Sequence, residues 1–199
     1  MKYRLLAPLL LLLVAIIGYW RWYEWRDHSQ DIPILAAAQR YGVPPALVKA
    51  VVWRESRFNA RRRGQAGEFG LMQIRTAAAE EWATAAHLAK FNPNSLLDPA
   101  TNTLAGAWYL DKLLKRYAHT DNPLPYALAD YNAGRSNVLK WEHGNAATNS
   151  INFINAINFP GTRSYVQSVM NRYTHYRPIF PPPKQPLKSS ATNNPSAPR

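Results

Sequence analysis

The chain has 199 residues and carries 24 lysines and arginines against 12 acids, a formal net charge of +12. The length suits one domain with its own core, and the charge favours an anionic partner such as nucleic acid, a lipid surface or an acidic polymer. The absence of cysteine excludes disulfides, thiolate nucleophiles and a lipoprotein anchor, and five scattered histidines without a paired motif predict no metal site and no cofactor.

An apolar helix is the first predicted element. Mostly apolar residues run from Leu5 to Arg21 behind two cations, and tyrosines and tryptophans follow where an interfacial belt would lie. An uncleaved membrane anchor and a cleaved signal peptide both fit, but bulky aromatics stand where cleavage requires small residues, which favours the anchor. We therefore expect residues 1–30 to form a membrane anchor with its aromatic flank, the amino terminus in the cytoplasm and the body outside. Export of the body argues against nucleic acid as the partner.

The body, residues 31–177, has helical patterning throughout. No alternating strand pattern is present, so the body is predicted to be mostly α-helical. Residues 178–199 are rich in proline, serine and asparagine, which predicts a disordered or polyproline tail. Six segments of the body combine helix-start residues with apolar positions at helical spacing: IPILAAAQRY, PPALVKAVVWRES, RTAAAEEWATAAHLAKF, LLDPATNTLAGAWYLDKLLKRY, PLPYALADYNAG and TRSYVQSVMNRYTHYR.

One acid ends an apolar stripe in the second of these segments. Leu47, Val51 and Glu55 follow one another at intervals of four, so they share one face of a helix. If the two apolar residues face the core, Glu55 lies at its rim, where loss of hydration raises the pKa of the carboxyl. A carboxylic acid that is protonated near neutral pH is what cleavage of a glycosidic bond requires. Spacing alone leaves a second interpretation open, a surface ion pair with a neighbouring arginine such as Arg54 or Arg57.

Four segments stand in a characteristic order and carry a resemblance to a known family. They are GVPPALVKAVVWRESRFN, GQAGEFGLMQI, LDPATNTLAGAWYLDKLLKRY and ALADYNAGRSNVLKW. Together they resemble the lytic transglycosylase domain of the soluble murein transglycosylase type, glycoside hydrolase family 23, which is related to goose-type lysozyme. The resemblance covers residues 34–177. It implies a lysozyme-like α-helical domain over residues 31–177 with a glycan-binding cleft and no cofactor.

The resemblance also implies roles for individual residues. Glu55 matches the family's catalytic acid. On residue chemistry alone, Met72 also fits a core filler, and Tyr131 fits a core aromatic with a wet tip. Glu68, a second acid in the glycine-rich loop, is expected to be a solvated loop residue. The matches that are expected to contact the glycan are Ser56, Met72, Gln73, Tyr131, Asn132 and Tyr165.

Two positions depart from the family pattern. Asp130 stands where a small residue is usual before the Tyr-Asn-Ala-Gly motif. Gly161 stands where a glutamate usually opens the final motif, the one that contains Tyr165. The second departure leaves the expected contact of Tyr165 in question.

The reaction that the resemblance implies is cleavage of the β-1,4 bond between N-acetylmuramic acid and N-acetylglucosamine in peptidoglycan. Glu55 would act first as acid and then as base, and the product would carry a 1,6-anhydromuramoyl ring. The expected location is the cytoplasmic membrane with the catalytic domain in the periplasm, or the periplasm alone after signal cleavage. Two alternatives stay open: a lysozyme-type hydrolase, and a non-catalytic module that binds peptidoglycan within an envelope complex.

Overall fold

A computed structural model describes residues 6–180, and the prediction of a mostly α fold is confirmed. Within this range there are nine α-helices and a single short hairpin, in which β1 and β2 pair antiparallel and which packs against α4 and α5. Two 3₁₀ turns, Pro93–Leu97 and Gly144–Ala147, connect the helices. The elements are α1 (Leu6–His28), α2 (Asp31–Tyr41), α3 (Pro45–Ser56), β1 (Glu68–Phe69), β2 (Ile74–Arg75), α4 (Thr76–Ala85), α5 (Pro99–Arg116), α6 (Pro123–Ala133), α7 (Arg135–Trp141), α8 (Ser150–Ala156) and α9 (Pro160–Tyr176).

Helix α3 is the centre of the core. Every residue from Pro45 to Val52 is buried, because α3 packs against α2 on one side and α9 on another. Helix α6 packs in turn against α5 and α9. The apolar stripe of α3 therefore ends in the interior, and Glu55, one turn further on, reaches the place where α3, α6 and α9 meet.

Side-chain caps fix where the long helices begin. The carboxylate of Asp98 accepts a hydrogen bond from the amide of Thr101 at 2.8 Å, and Pro99 occupies the first turn of α5. Asn122 caps α6 in the same way through the amide of Leu124. Such caps satisfy amides that the helix itself leaves unpaired, so they define the start of the helices that form the walls of the site.

A buried lysine joins α1 to the rest of the molecule. Lys49 is only 1% exposed, and its Nζ lies 2.7 Å from Asp31 Oδ1 and 3.5 Å from Asp27 Oδ2. The hydroxyl of Tyr176 donates to Asp27 Oδ1 at 2.5 Å. Since a buried ammonium is tolerated only with charged partners, this cluster fixes the end of α1 against α2, α3 and α9.

The membrane anchor expected over residues 1–30 is not supported. Within residues 6–180 no helix is both long enough and apolar enough to cross a membrane. Helix α1 has 23 residues, but its last eight positions include four charged side chains, which lower its mean hydropathy: Arg21, Glu24, Arg26 and Asp27.

The tail expected over residues 178–199 lies outside the described residues from position 181 onward. Its first three residues belong to the folded unit. Phe180 is buried, its amide donates to the carbonyl of Tyr176 at 2.7 Å, and its ring centroid lies 4.7 Å from the Lys49 ammonium. The fold therefore continues three residues beyond Arg177.

Candidate active site

A cleft of about 260 Å³ opens between the β-hairpin and the carboxyl end of α6. Polar groups and aromatic rings share its walls, which is the composition of a ligand site with a few orienting polar contacts. The lining residues are Glu55, Glu68, Gln73, Ile74, Arg75, Ala78, Tyr109, Asp130, Tyr131, Asn132, Ala133 and Gly134.

Glu55 is the titratable group at the base of this cleft. Loss of hydration raises the pKa of its carboxyl from 4.5 to about 7, against the lowering effects of a Tyr165 hydrogen bond and of the Arg54 and Arg62 charges. No arginine in residues 6–180 forms an ion pair with Glu55, so the surface ion pair left open by spacing is not what the fold contains. Near neutral pH this carboxyl exists in both protonation states, which suits a group that gives a proton and takes one back.

Two tyrosines form hydrogen bonds that fix Glu55 and the loop beside it. Tyr165, buried on α9, donates its hydroxyl to Glu55 Oε1 at 2.7 Å. Tyr131, near the end of α6, donates its hydroxyl to the carbonyl of Met72 at 2.7 Å. The first contact orients the carboxyl, and the second ties α6 to the loop between the two strands.

The loop between β1 and β2 depends on one buried amide. Asn102 Oδ1 accepts from the amide of Met72 at 2.7 Å, and Asn102 Nδ2 donates to the carbonyls of Phe69 and Leu96, each at 2.8 Å. Gly70 has φ +73°, and a Cβ there would lie 2.3 Å from the carbonyl oxygen of Leu96. Only glycine therefore lets the loop approach this closely.

Gln73 completes the loop in a left-handed conformation, with φ 49°. Its Nε2 donates to the carbonyl of Gly70 at 2.9 Å and to that of Arg62 at 3.2 Å. A non-glycine residue in this region costs conformational energy, and these bonds offset the cost. The result is a carboxamide fixed at the wall of the cleft.

Comparison with known proteins shows the family of this chain. Residues 32–154, more than half of the chain, match the Transglycosylase SLT domain family. The chain belongs to this family.

The SLT domain has characterised relatives in sequence and in structure. The chain is similar to the soluble lytic murein transglycosylase of Escherichia coli (strain K12), with 32% identity over 144 residues, which cover 68% of this chain and 21% of that protein. Its fold is similar to an inactive mutant of the lytic transglycosylase Slt from Pseudomonas aeruginosa, with a TM-score of 0.69, 25% identity, and coverage of 77% of this chain and 24% of the other. For the 70-kDa soluble lytic transglycosylase from Escherichia coli the TM-score is 0.64 at 29% identity, covering 72% and 24%. The chain thus spans about a fifth of the length of the curated relative.

The fold brings most of the predicted site residues together, with Tyr165 contributed by α9 beyond the matched residues 32–154. Of the seven, Glu55, Gln73, Tyr131 and Asn132 line the cleft, and Tyr165 touches Glu55 from below. Ser56 and Met72 do not line it. Ser56 is buried, and its hydroxyl donates to the carbonyl of Val52 one turn earlier. Met72 is buried too, and its sulfur lies so close to Gly106 that a Cβ there would be 2.3 Å away.

The two departures from the family pattern have structural consequences in this SLT domain. Asp130 is buried and accepts hydrogen bonds from Arg116 Nη1 at 2.6 Å and from the Tyr117 hydroxyl at 2.7 Å, so it ties α6 to α5. Gly161 has open space around its α-carbon. The next residue, Thr162, donates to Asn132 Oδ1 at 2.9 Å and fixes that amide at the cleft.

Tyr109 and Glu68 are among the cleft residues that sequence patterns did not assign to the site. Tyr109 on α5 lies with its ring centroid 5.6 Å from that of Tyr131, and the two rings form an aromatic wall. Glu68, expected to be solvated, lines the cleft and pairs with Arg75 across the hairpin at 3.0 Å. Although burial favours its neutral form, hydrogen bonds from the backbone and from Arg75 lower the pKa of Glu68. No local sequence signal indicates this pairing, because each strand has only two residues.

The raised pKa of Glu55 predicts a pH-dependent stability. The folded state holds the proton to higher pH than the unfolded state, so the free energy of unfolding falls as the pH rises from 4.5 to about 7. Glu55→Gln removes this effect, and we expect the variant to be more stable than the wild type by about 1–3 kcal/mol at about pH 8. The difference should shrink to near zero at about pH 4, where both side chains are neutral. Urea unfolding at the two pH values measures it, and a difference that does not depend on pH would contradict the burial of this carboxyl.

Proposed function

We propose that this chain is a peptidoglycan lytic transglycosylase. The observation that carries the proposal is the carboxyl of Glu55, whose pKa burial raises to about 7 and which the Tyr165 hydroxyl orients at the base of an open cleft. The relatives in the same family are named for this activity. Because the chain spans a fraction of their length, the activity of this chain rests on its own site.

The substrate in this proposal is the glycan strand of peptidoglycan. Glu55 donates its proton to the oxygen between N-acetylmuramic acid and N-acetylglucosamine, and the C1–O bond breaks. The 2-acetamido group of the muramoyl unit stabilises the positive charge at C1. The Glu55 carboxylate then removes the proton of the muramoyl C6 hydroxyl, and that oxygen bonds to C1 to close a 1,6-anhydro ring. No water is consumed.

The walls of the cleft support the same proposal. The aromatic rings of Tyr109 and Tyr131 offer a face on which a sugar ring can stack, and the fixed amides of Gln73 and Asn132 offer hydrogen bonds to its acetamido and hydroxyl groups. Ser56 and Met72 act in this proposal by supporting the loop and helix end. The formal net charge of +12 suits a polymer that carries peptide carboxylates.

The location follows from the substrate. Peptidoglycan lies outside the cytoplasmic membrane, so we place the SLT domain in the periplasm.

The identity of the products tests the proposal. Purified sacculi are incubated with the wild type, with Glu55→Gln and with Glu80→Gln, an exposed acid on α4 that serves as a matched control. We expect the wild type and the control to release muropeptides that are one water lighter than hydrolysis products. Muropeptides with free reducing ends would instead identify a lysozyme-type hydrolase. Equal inactivity of all three proteins would identify a non-catalytic binding module.

The Tyr165 hydroxyl is expected to set the pH range of the activity. Its hydrogen bond favours the ionised form of Glu55 and so lowers the pKa of that carboxyl. Tyr165→Phe removes the bond, and we expect the decline of activity at alkaline pH to move upward by about one pH unit. Rates of sacculus cleavage between about pH 5 and about pH 9 measure the shift. An unchanged midpoint would mean that the tyrosine serves packing alone.

A further inference from the structure

A second cavity, of about 290 Å³, lies between α1 and the end of α3, on the side of α3 away from the cleft. Aromatic side chains and arginines form its walls. Trp53 and Glu55 are two residues apart on α3, so they point to different sides of that helix. The lining residues are Tyr19, Trp22, Tyr23, Arg26, Asp27, Trp53, Arg57 and Phe58.

Cations gather around the indole ring of Trp53. The guanidinium carbon of Arg57 lies 3.6 Å from the ring centroid, and that of Arg172 lies 4.0 Å from it. Arg26 lies 5.0 Å from the ring of Trp22 on the same wall. None of these three arginines forms an ion pair with an acid in residues 6–180. A group of unpaired guanidinium ions favours an anion, above all a phosphate, which binds two N–H groups at once.

The single acid on the wall does not neutralise these arginines. Asp27 accepts a hydrogen bond from Tyr176 and lies 3.5 Å from the buried ammonium of Lys49. The carboxylate of Asp27 therefore already interacts with Tyr176 and Lys49. The arginines of the wall remain available to pair with an external anion.

Two features of this wall are energetically unfavourable: a strained backbone and a buried N–H group without a hydrogen-bond partner. Arg57 and Phe58 are consecutive non-glycine residues in the left-handed region, with φ 52° and 63°. The buried Nε1 of Trp53 has no hydrogen-bond partner among the described residues. Strained backbone and unpaired buried donors concentrate at sites that bind ligands.

Exposed apolar side chains cover all sides of α1 beyond the cavity, and one stripe of them leads directly away from it. Leu12, Ile16, Tyr19, Tyr23 and Arg26 follow at intervals of four, three, four and three, so they share one face of the helix. Leu12 is 57% exposed and Ile16 is 45% exposed. Along this face the surface changes from aliphatic to aromatic to cationic, which is the order in which a phospholipid presents its chains, its interface and its phosphate.

We propose that this groove binds an anionic phospholipid, with the phosphate at Arg26 and Arg57, which both line the cavity, and the acyl chains along Leu12 and Ile16. A glycan has no apolar part to cover Leu12 and Ile16, whereas a lipid covers them with its acyl chains and places its phosphate against the two arginines of the cavity. The lipid lies on the side of α3 opposite to the cleft. Lipid binding therefore leaves the cleft open to a strand of peptidoglycan.

Lipid retention by the full chain tests the proposal. The protein in non-ionic detergent micelles is titrated with phosphatidylglycerol or phosphatidylcholine, and bound lipid is counted by native mass spectrometry. We expect tighter binding of phosphatidylglycerol, and a loss of about 10- to 30-fold in that affinity for the double variant Arg26→Gln, Arg57→Gln, which changes the two arginines that line the cavity. The matched control removes two distant exposed lysines, Lys90→Gln and Lys140→Gln, and should keep the wild-type affinity.

Four outcomes would overturn the proposal. They are equal affinity of the wild type for both lipids, equal loss in the control variant, saturable binding of inorganic phosphate alone at the same arginines, and a dimer in sedimentation that covers the stripe and excludes lipid. The rate of sacculus cleavage by the double variant is measured alongside. Because the variant leaves the cleft intact, an unchanged rate with weaker lipid binding separates this proposal from the proposed catalytic function.

Discussion

Glu55→Gln is expected to lower the rate of sacculus cleavage by about a thousandfold. The amide keeps the shape of the side chain and can still accept the Tyr165 hydrogen bond, but it can neither donate a proton to the glycosidic oxygen nor remove one afterwards. Soluble muropeptides released from sacculi measure the rate, and circular dichroism confirms that the helical content is unchanged.

The control for this prediction is Glu80→Gln, which removes one negative charge from an exposed position on α4. It should keep the wild-type rate. If Glu55→Gln retained more than about a tenth of that rate, proton transfer by this side chain would not carry the reaction.

Gly70→Ala is expected to destabilise the protein by about 3 kcal/mol. The new Cβ would lie 2.3 Å from the carbonyl oxygen of Leu96 and 2.4 Å from Asn102 Nδ2, and the residue has φ +73°. Leu96 contributes backbone, which cannot move without disturbing the turn before α5, and Asn102 holds the amide of Met72. The free energy of unfolding in urea measures the effect.

Gly67→Ala separates the two contributions. Gly67 has a similar φ, +79°, but open space where the Cβ would stand. Gly67→Ala should therefore lower the free energy of unfolding by about 1 kcal/mol, because only the backbone conformation is strained. Equal losses for the two variants would contradict the close packing of the loop against Leu96 and Asn102.

The sequence predicted the helical frame because its signals are local. The stripe from Leu47 through Val51 to Glu55 depends only on helix geometry. The order of the four motifs identified the family. The resemblance also predicted Gln73, Tyr131 and Asn132 as site residues, and the fold places all three at one cleft.

Other features depend on contacts between distant residues, which local patterns do not contain. Strands of two residues are too short to show alternation, so the hairpin and the pairing of Glu68 with Arg75 were missed. Asn102 sits in the helical pattern of α5 and gives no sign that it holds the loop 30 residues earlier. Ser56 follows Glu55 directly, yet the turn of the helix points it into the core.

The membrane anchor expected at the start of the chain is not supported by the described residues. The apolar run before Gly18 resembles a membrane span, and the expectation counted the aromatic flank toward its length. In the folded chain that flank belongs to a helix whose end carries charges and packs on the domain, through Asp27 and Lys49. Composition alone does not distinguish a flank that extends a span from one that contacts its own domain.

The carbon-13 NMR titration of the Glu55 side-chain carboxyl tests the central claim most directly. With Glu55→Gln used to assign the resonance, the wild-type signal should titrate with a midpoint of about 7. A midpoint near 4.5, the ordinary value for glutamate, would show a hydrated carboxylate that holds no proton for a glycosidic oxygen.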